Sequence, residues 1–572
     1  MKSLSVYQNE MAQRSLGIFF LIIFAILFLI GRLFWIQVLE HEKYKQQAFQ
    51  QHWIHKEIPA KRGDILDRNG IILATSIPTY SCYCDPKMIK DVHGAAKKLS
   101  PVLEMEEDKL VPFLTHPKRR FVWLKRFLDK ETSQKIQSFK IAGVQTIKET
   151  KRVYPHGKLA SHVLGFTGNE ENGLEGVEAN FQAELSGENG FQWELKDGRL
   201  AKPKIYDPYS PMKKPVNGAD IYLTIDHIMQ SIVEKELQDA VSRYEAKGAC
   251  AVLLDAKTAQ ILALASLPDF DPNDFRSFPR STWKNKAIAD AYELGSVMKP
   301  LVVASALSEK LVSMDTTIFC HHGSCKIIPG RTLRDTHGYG DLTVAEILIK
   351  SSNIGTTKIG MQMGAKTLCH YLELLNFGKK TGVELPGESP GILKPAHKWT
   401  NFTLTSVPMG HEICATPLQM AASYLPIAGD GIYRPPSIVE KVVYPDSKTL
   451  HRYQSPDIKK IYSGQTIKEM QQVLRLVVEK GTAQKANIKK VEIAGKTGTA
   501  QKLDSTGGYS HEHYISVFVG FAPYKNPTLC ALVMVDEPKG AYYGGTVSAP
   551  PVANILKQCI FYEKSLIKKY NP

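Results

Sequence analysis

The 572-residue sequence is poor in the features that mark several large function classes. Its nine cysteines are an odd number scattered over a long chain, which argues against a disulfide framework. Cys320-His321-His322-Gly323-Ser324-Cys325 crowds possible ligands into one turn, where a disulfide is permitted but not implied, and no metal is expected there. Acidic residues are in deficit, 57 against 72 basic ones, for a net charge of +15. No zinc-finger spacing and no long basic run with interleaved aromatics accompanies that excess, so nucleic acid is not an expected partner; a basic extracytoplasmic protein beside anionic lipid accounts for it. Gly495-Lys496-Thr497 imitates a phosphate loop, but position 490, where such a loop needs glycine, is Lys490. His411-Glu412 lacks the second histidine of a zinc protease, since position 415 is Ala415. There is no internal repeat and no low-complexity segment.

What is present begins with one uncharged run. Ser15 to Gly31 carries no charge, and apolar character resumes after Arg32 as far as Leu39. That length crosses a bilayer if Arg32 snorkels to the interface. The run leads into bulky Leu33-Phe34-Trp35 and not into small residues, so it reads as an uncleaved anchor with Trp35 at the interface. The expected organisation is a cytoplasmic tail over 1–14, a transmembrane signal anchor over 15–39, a non-catalytic domain over 40–217 and a catalytic domain over 218–572. In the last, apolar strands are expected at Ala249–Asp255, Gln260–Ala265, Val491–Ala500, Ile515–Phe521 and Leu529–Val535. Region 291–430 reads as largely helical. The fold class is therefore α+β, a sheet closed by sequence-distant strands and backed by helices, with a helical subdomain.

Three short motifs occur in order: Ser296-Val297-Met298-Lys299, Ser351-Ser352-Asn353 and Lys496-Thr497-Gly498-Thr499. A serine hydroxyl is a weak nucleophile until a base takes its proton. Ser296 and Lys299 on one helix face are one turn apart, which predicts hydrogen-bond reach. Lys299 serves as base if burial or a second cation, Lys496, lowers its pKa. Ser351 can relay protons, and Asn353 can hold a peptide. Gly498 lets a substrate strand approach, while Lys496, Thr497 and Thr499 suit a carboxylate. The backbone N–H groups of Ser296 and Thr499 are candidates for an oxyanion hole. Single motifs recur as decoys, with further S-x-x-K runs at Ser210, Ser281 and Ser565 and a second Lys-Thr-Gly at Lys380.

This set resembles the class B penicillin-binding proteins, and most the division-specific peptidoglycan transpeptidases. The resemblance runs nearly the whole length. It includes Arg62-Gly63-x-x-x-Asp67-Arg68-x-Gly70, Arg152-x-Tyr154-Pro155-x-Gly157 and Gly173-Leu174-Glu175-Gly176, which mark a pedestal (dimerisation-like) domain. It implies that Ser296 attacks the D-Ala-D-Ala bond of a donor stem peptide, that an amine of a neighbouring stem accepts the acyl group, and that β-lactams acylate the same serine. Lys299, Ser351, Asn353 and Lys496 then map onto base, relay, substrate-holding and electrostatic roles, without a metal or organic cofactor. Because the pedestal is not a glycosyltransferase, a separate membrane glycan polymerase and division proteins are the implied partners. The implied location is the cytoplasmic membrane, single-pass, with the catalytic domain outside and at the septum. An elongation-type side-wall enzyme and a catalytically weak penicillin-binding sensor or division scaffold are the alternatives. The chain departs from the family pattern at Leu294, Val297-Met298 and Gly410-His411-Glu412, positions expected to line or neighbour the site.

Overall fold

The computed structural model describes residues 2–196, 203–205, 212–445, 450–452, 458–503 and 508–570; Ser210 lies outside them. They fall into two compact units, 1–60 with 188–217 and 61–187 with 218–572. Residues 40–217, grouped on sequence into one domain, are thus divided between the two.

In the smaller unit, helix α1 (Lys2–Phe34) starts well before the uncharged run and continues as a wider turn over Trp35–Leu39. The apolar helical stretch Tyr7–Leu39 has 33 residues, none buried. At 1.5 Å per residue it spans about 50 Å, more than the ~30 Å of a bilayer core. Leu21 and Phe24 are 71% and 72% exposed, an arrangement that water disfavours and lipid tolerates. A four-stranded sheet completes this unit, in which Trp53–Ile58 pairs antiparallel with Gly190–Lys196.

The larger unit opens with the pedestal. Its long strand Ile72–Cys84 pairs with Val144–Val153 and Val122–Leu128. Residues Cys82 to Ile136 of this part enclose a small apolar core of their own, a lobe built on Leu99, Leu103, Leu110 and Leu114. At the other end, Ile65-Leu66 runs parallel to Ile221-Tyr222, so pedestal strands and strands of the following domain share one seven-stranded sheet. The pedestal motifs converge at this seam. Glu178, wholly buried, accepts from Arg62 Nε at 2.8 Å, from Arg152 Nε at 2.6 Å and from the Tyr154 hydroxyl at 3.3 Å. Asp67 accepts from the N–H groups of Asn69 and Ile71 and pairs with His227 Nδ1 at 2.7 Å. Motif residues distant in sequence thus tie the pedestal together at Glu178, while Asp67 fastens it to the start of helix α2 (His227–Tyr244).

Beyond α2, β1 (Gly248–Asp255) and β2 (Ile261–Leu267) form a hairpin. Then come helices α3 (Lys299–Ser308), α4 (Asn353–Leu374) and α5 (Gly464–Lys480). Strands β3 (Ala494–Leu503), β4 (Tyr509–Ala522) and β5 (Leu529–Asp536) and helix α6 (Ala549–Tyr570) end the chain. The antiparallel sheet has the order β2-β1-β5-β4-β3, which joins the first and last strands of the domain as the sequence suggested. Every residue of β2 and β5 is buried, so the sheet is covered on both faces. Helices α2 and α6 pack against each other and against this sheet. The fold is the expected α+β arrangement. Region 291–430 also contains a hairpin, Ser324–Ile328 with Arg331–Arg334, that its helical reading did not anticipate.

Candidate active site

Strand β3 is the outer strand of the sheet among the described residues, paired on one side by β4. Its Thr497, Gly498 and Thr499 line a cleft of about 830 Å³ together with Ser296, Ser351 and Asn353. The three motifs, successive ones 55 and 145 residues apart in the chain, thus meet at one place. Ser296 lies in a tight turn, Gly295–Met298, that runs directly into α3, so Lys299 is the first residue of the helix. The turn is braced from beneath by the buried Tyr424 hydroxyl, which donates to the Val297 carbonyl at 2.7 Å.

Lys299 and Lys496 are both wholly buried and stand behind the cleft wall. Lys299 Nζ donates to the Ser351 carbonyl at 2.5 Å, to Ser351 Oγ at 3.2 Å and to Asn353 Oδ1 at 2.7 Å. Lys496 Nζ donates to the same Ser351 Oγ at 3.0 Å and to the Thr497 carbonyl at 3.1 Å. The expected Ser296–Lys299 hydrogen bond is not among these contacts. The lysine's donors are directed to the Ser351–Asn353 turn, which presents three oxygens to it. Ser351 itself holds a left-handed backbone (φ 58°) between two helices, the kind of strained position that neighbouring structure must enforce.

Burial drives both amines toward neutrality. It lowers the Lys299 pKa to about 7, against a partial opposing pull from the Asp335 carboxylate. Burial also lowers that of Lys496 well below its usual value, and the Lys299 ammonium pushes in the same direction. Two adjacent buried amines oppose one another's charge. Lys299 as neutral base and Lys496 as cation are the roles expected from the sequence, and the two amines meet at one hydroxyl, Ser351 Oγ. That shared hydroxyl can carry a proton between the two amines.

The threonines differ from one another. Thr497 Oγ1 is engaged with Thr482 Oγ1 at 2.7 Å, whereas Thr499 Oγ1 accepts the Gly544 N–H at 3.1 Å and keeps its own proton to donate. At Gly498 a β-carbon would come within 2.6 Å of Val517 and 3.1 Å of Val297, so the glycine keeps β3 close to the Ser296 turn. Of the departures from the family pattern, Leu294, Val297 and Met298 are buried in the core, and among them only Gly410-His411-Glu412 sends a residue, His411, to the cleft wall. His411 Nδ1 is 2.8 Å from Glu293 Oε2. Glu412, where the family pattern has glycine, has a positive φ of 59°, and Lys394 at 2.9 Å and Thr403 at 3.0 Å tie its carboxylate down.

The decoys do not reach the cleft. Ser281 and Ser565 are exposed elsewhere, and Lys380-Thr381-Gly382 is a turn whose Thr381 and Gly382 N–H groups both donate to Glu388. Cys320 and Cys325 are free, buried thiols. Sequence reasoning missed Thr482, Tyr514 and the Tyr542-Tyr543-Gly544-Gly545 wall of the cleft. Two adjacent tyrosines followed by two glycines were the only local signal for that wall.

Residues 249–557 match the penicillin binding protein transpeptidase domain, and residues 57–223 match the penicillin-binding protein dimerisation domain. The chain is 32% identical over 555 residues to the peptidoglycan D,D-transpeptidase FtsI of Escherichia coli, covering 94% of this chain and 89% of that protein. It is 34% identical to stage V sporulation protein D of Bacillus subtilis, over 95% of this chain and 85% of that one. Penicillin binding protein 3 of Mycobacterium tuberculosis, solved in complex with aztreonam, superposes with a TM-score of 0.70 at 28% identity, covering 89% of this chain and 97% of that one. With its serine, two lysines and pedestal so arranged, the chain belongs to the class B penicillin-binding proteins, the peptidoglycan D,D-transpeptidases.

Proposed function

We propose that this transpeptidase cross-links stem peptides at the division septum, through an acyl-enzyme on Ser296. The observation that carries the catalytic assignment is the meeting of all three motifs around one hydroxyl, Ser351 Oγ, 3.2 Å from Lys299 Nζ and 3.0 Å from Lys496 Nζ. A donor peptide lies along the open edge of β3 as an added strand, its terminal carboxylate toward Thr499 and its side chains steered by Asn353. As the Lys299 proton passes through Ser351 Oγ to Lys496, Lys299 becomes the base that takes the Ser296 proton. The Ser296 oxygen then adds to the penultimate D-Ala carbonyl, with the Ser296 and Thr499 N–H groups facing the developing oxyanion. Return of a proton by the same relay releases D-alanine. An acceptor amine then attacks the ester and gives its proton to the pair, which passes it to the departing Ser296 oxygen and so frees the serine. β-Lactams enter as donor mimics whose leaving group stays attached.

Helix α1 anchors the chain in the cytoplasmic membrane with the large unit outside, and a separate glycan polymerase supplies the strands to be joined. The septal role is favoured by near full-length similarity to FtsI proteins. Full-length protein in detergent should be labelled covalently by a fluorescent penicillin, and Ser296→Ala should abolish labelling with an unchanged melting temperature. Labelling that persists in the variant would remove Ser296 from the mechanism. A fluorescent fusion should form midcell rings in dividing cells; a dispersed side-wall signal would assign the elongation role instead.

A further inference from the structure

A carboxylate that no motif contains stands directly behind the second motif. Asp335 follows the Arg331–Arg334 strand, 16 residues before Ser351 and in a different supersecondary element. Its Oδ2 accepts from Ser352 Oγ at 2.6 Å, and its Oδ1 accepts from the N–H groups of Asn353 at 2.5 Å and Ile354 at 3.1 Å. Asn353 is also held from the side-chain end, where its Nδ2 donates to the Arg334 carbonyl at 2.9 Å. The Asp335 N–H in turn donates to the Gly323 carbonyl at 3.0 Å, which moors the loop. One carboxylate thus grips three consecutive residues, one of which, Asn353, faces the cleft.

We propose that Asp335 is a positioning residue for acylation: it fixes the Ser351-Ser352-Asn353 turn that accepts from Lys299, and sets its negative charge one residue behind that lysine. The inference rests on the assignment of Ser296, Lys299 and Lys496 made above. The geometric half follows from the hydrogen bonds. Ser351 has the left-handed backbone at the junction of two helices, and the N-terminus of α4 is set by the carboxylate that collects its first N–H groups. The electrostatic half follows from what surrounds the pair. Among the described residues, Asp335 is the anion that favours charge on Lys299, whose Nζ donates to the Asn353 that Asp335 holds, and the Lys299 ammonium is the charged group acting on Lys496. The other titratable groups within its field are Cys320, whose thiol it pushes up, and Tyr339, whose phenol it pushes up; Lys358 and Asp341 act on Cys320 with opposite signs. None of these replaces it at Lys299.

The sign of the effect is set. Asp335 stabilises the Lys299 ammonium, so removing its charge lets Lys299 release its proton at lower pH and makes the base available earlier on an ascending pH profile. The test is the second-order rate constant for acylation of full-length protein by a fluorescent penicillin, measured from pH 5 to 9 for wild type, Asp335→Asn, Asp335→Glu and Ser352→Ala. In Asp335→Asn the acid limb should move down by at least about half a pH unit while the plateau falls about tenfold or more. Ser352→Ala, which removes one hydrogen bond and keeps the charge, should lower the plateau and leave the acid limb in place. Asp335→Glu should restore the limb but not the plateau. An Asp335→Asn protein that folds and keeps its limb reduces the carboxylate to a helix cap. If Asp335→Asn does not fold, a displaced limb in Asp335→Glu, or an undiminished plateau in Ser352→Ala, overturns the proposal equally. Loss of labelling in Ser296→Ala alongside an unmoved limb in Asp335→Asn sinks this inference alone; labelling that survives in Ser296→Ala sinks the assignment beneath it.

Discussion

Replacing Lys299 by methionine should give a folded protein that a penicillin acylates about 10²–10⁴ times more slowly than wild type, the range in which a positioned general base acts. Methionine fills much of the same volume at a site where the amine is wholly buried, so packing is largely kept. What disappears is the group that takes the Ser296 proton, together with its hydrogen bonds to Ser351 and Asn353. In the wild type, acylation should rise with pH through about 7, where Lys299 becomes neutral; the variant should show no limb there. Stability carries an independent signature. The folded pKa of Lys299 lies below the ~10.4 of an unfolded chain, so between about 7 and 10.4 the unfolded state binds the extra proton and stability rises with pH. The buried amine is therefore most unfavourable at and below pH 7. Relative to wild type, Lys299→Met should gain stability as pH falls from 10 toward 7, as followed by melting temperature. A rate within threefold of wild type would transfer the base role to another group, Lys496 first.

The second large effect is expected far from the cleft. Glu178→Ala should cost about 3–5 kcal/mol of stability, because it leaves the Arg62 and Arg152 guanidinium groups buried without their shared anion. Both arginine side chains are at most 3% exposed and cannot turn to water without opening the pedestal. Arg152 Nη2 already lacks a hydrogen-bond partner among the described residues, which leaves little reserve. Glu178→Gln, which keeps an acceptor and loses only the charge, should fall between wild type and Ala. Urea unfolding followed by tryptophan fluorescence measures this directly. The acylation rate well below the melting transition should stay near wild type, since the cluster lies outside the cleft. An unchanged unfolding midpoint in Glu178→Ala would mean that the network adds nothing to the stability of the pedestal.

The sequence by itself determined the chemistry and the class of fold. Ser296, Lys299, Ser351, Asn353 and Lys496 are found by type and spacing because acyl transfer tolerates few substitutes for a hydroxyl, an amine and an amide. The sheet strands are found because a sheet covered on both faces needs unbroken apolar runs such as Ile261–Leu267 and Leu529–Asp536. The apolar run of α1 is legible for the same reason. Only the tertiary structure decided how those groups address one another. Local spacing predicted a Ser296–Lys299 hydrogen bond, whereas the lysine's donors go to the Ser351–Asn353 turn, more than 50 residues away. Local spacing gave no sign of Asp335 either, since nothing in its neighbourhood marks it until α4 is folded against it. Charge state follows the same division. A lysine in a sequence is a cation, and whether it is one in the protein depends on burial and, for Lys299, on the Asp335 carboxylate. The three-dimensional packing sets both.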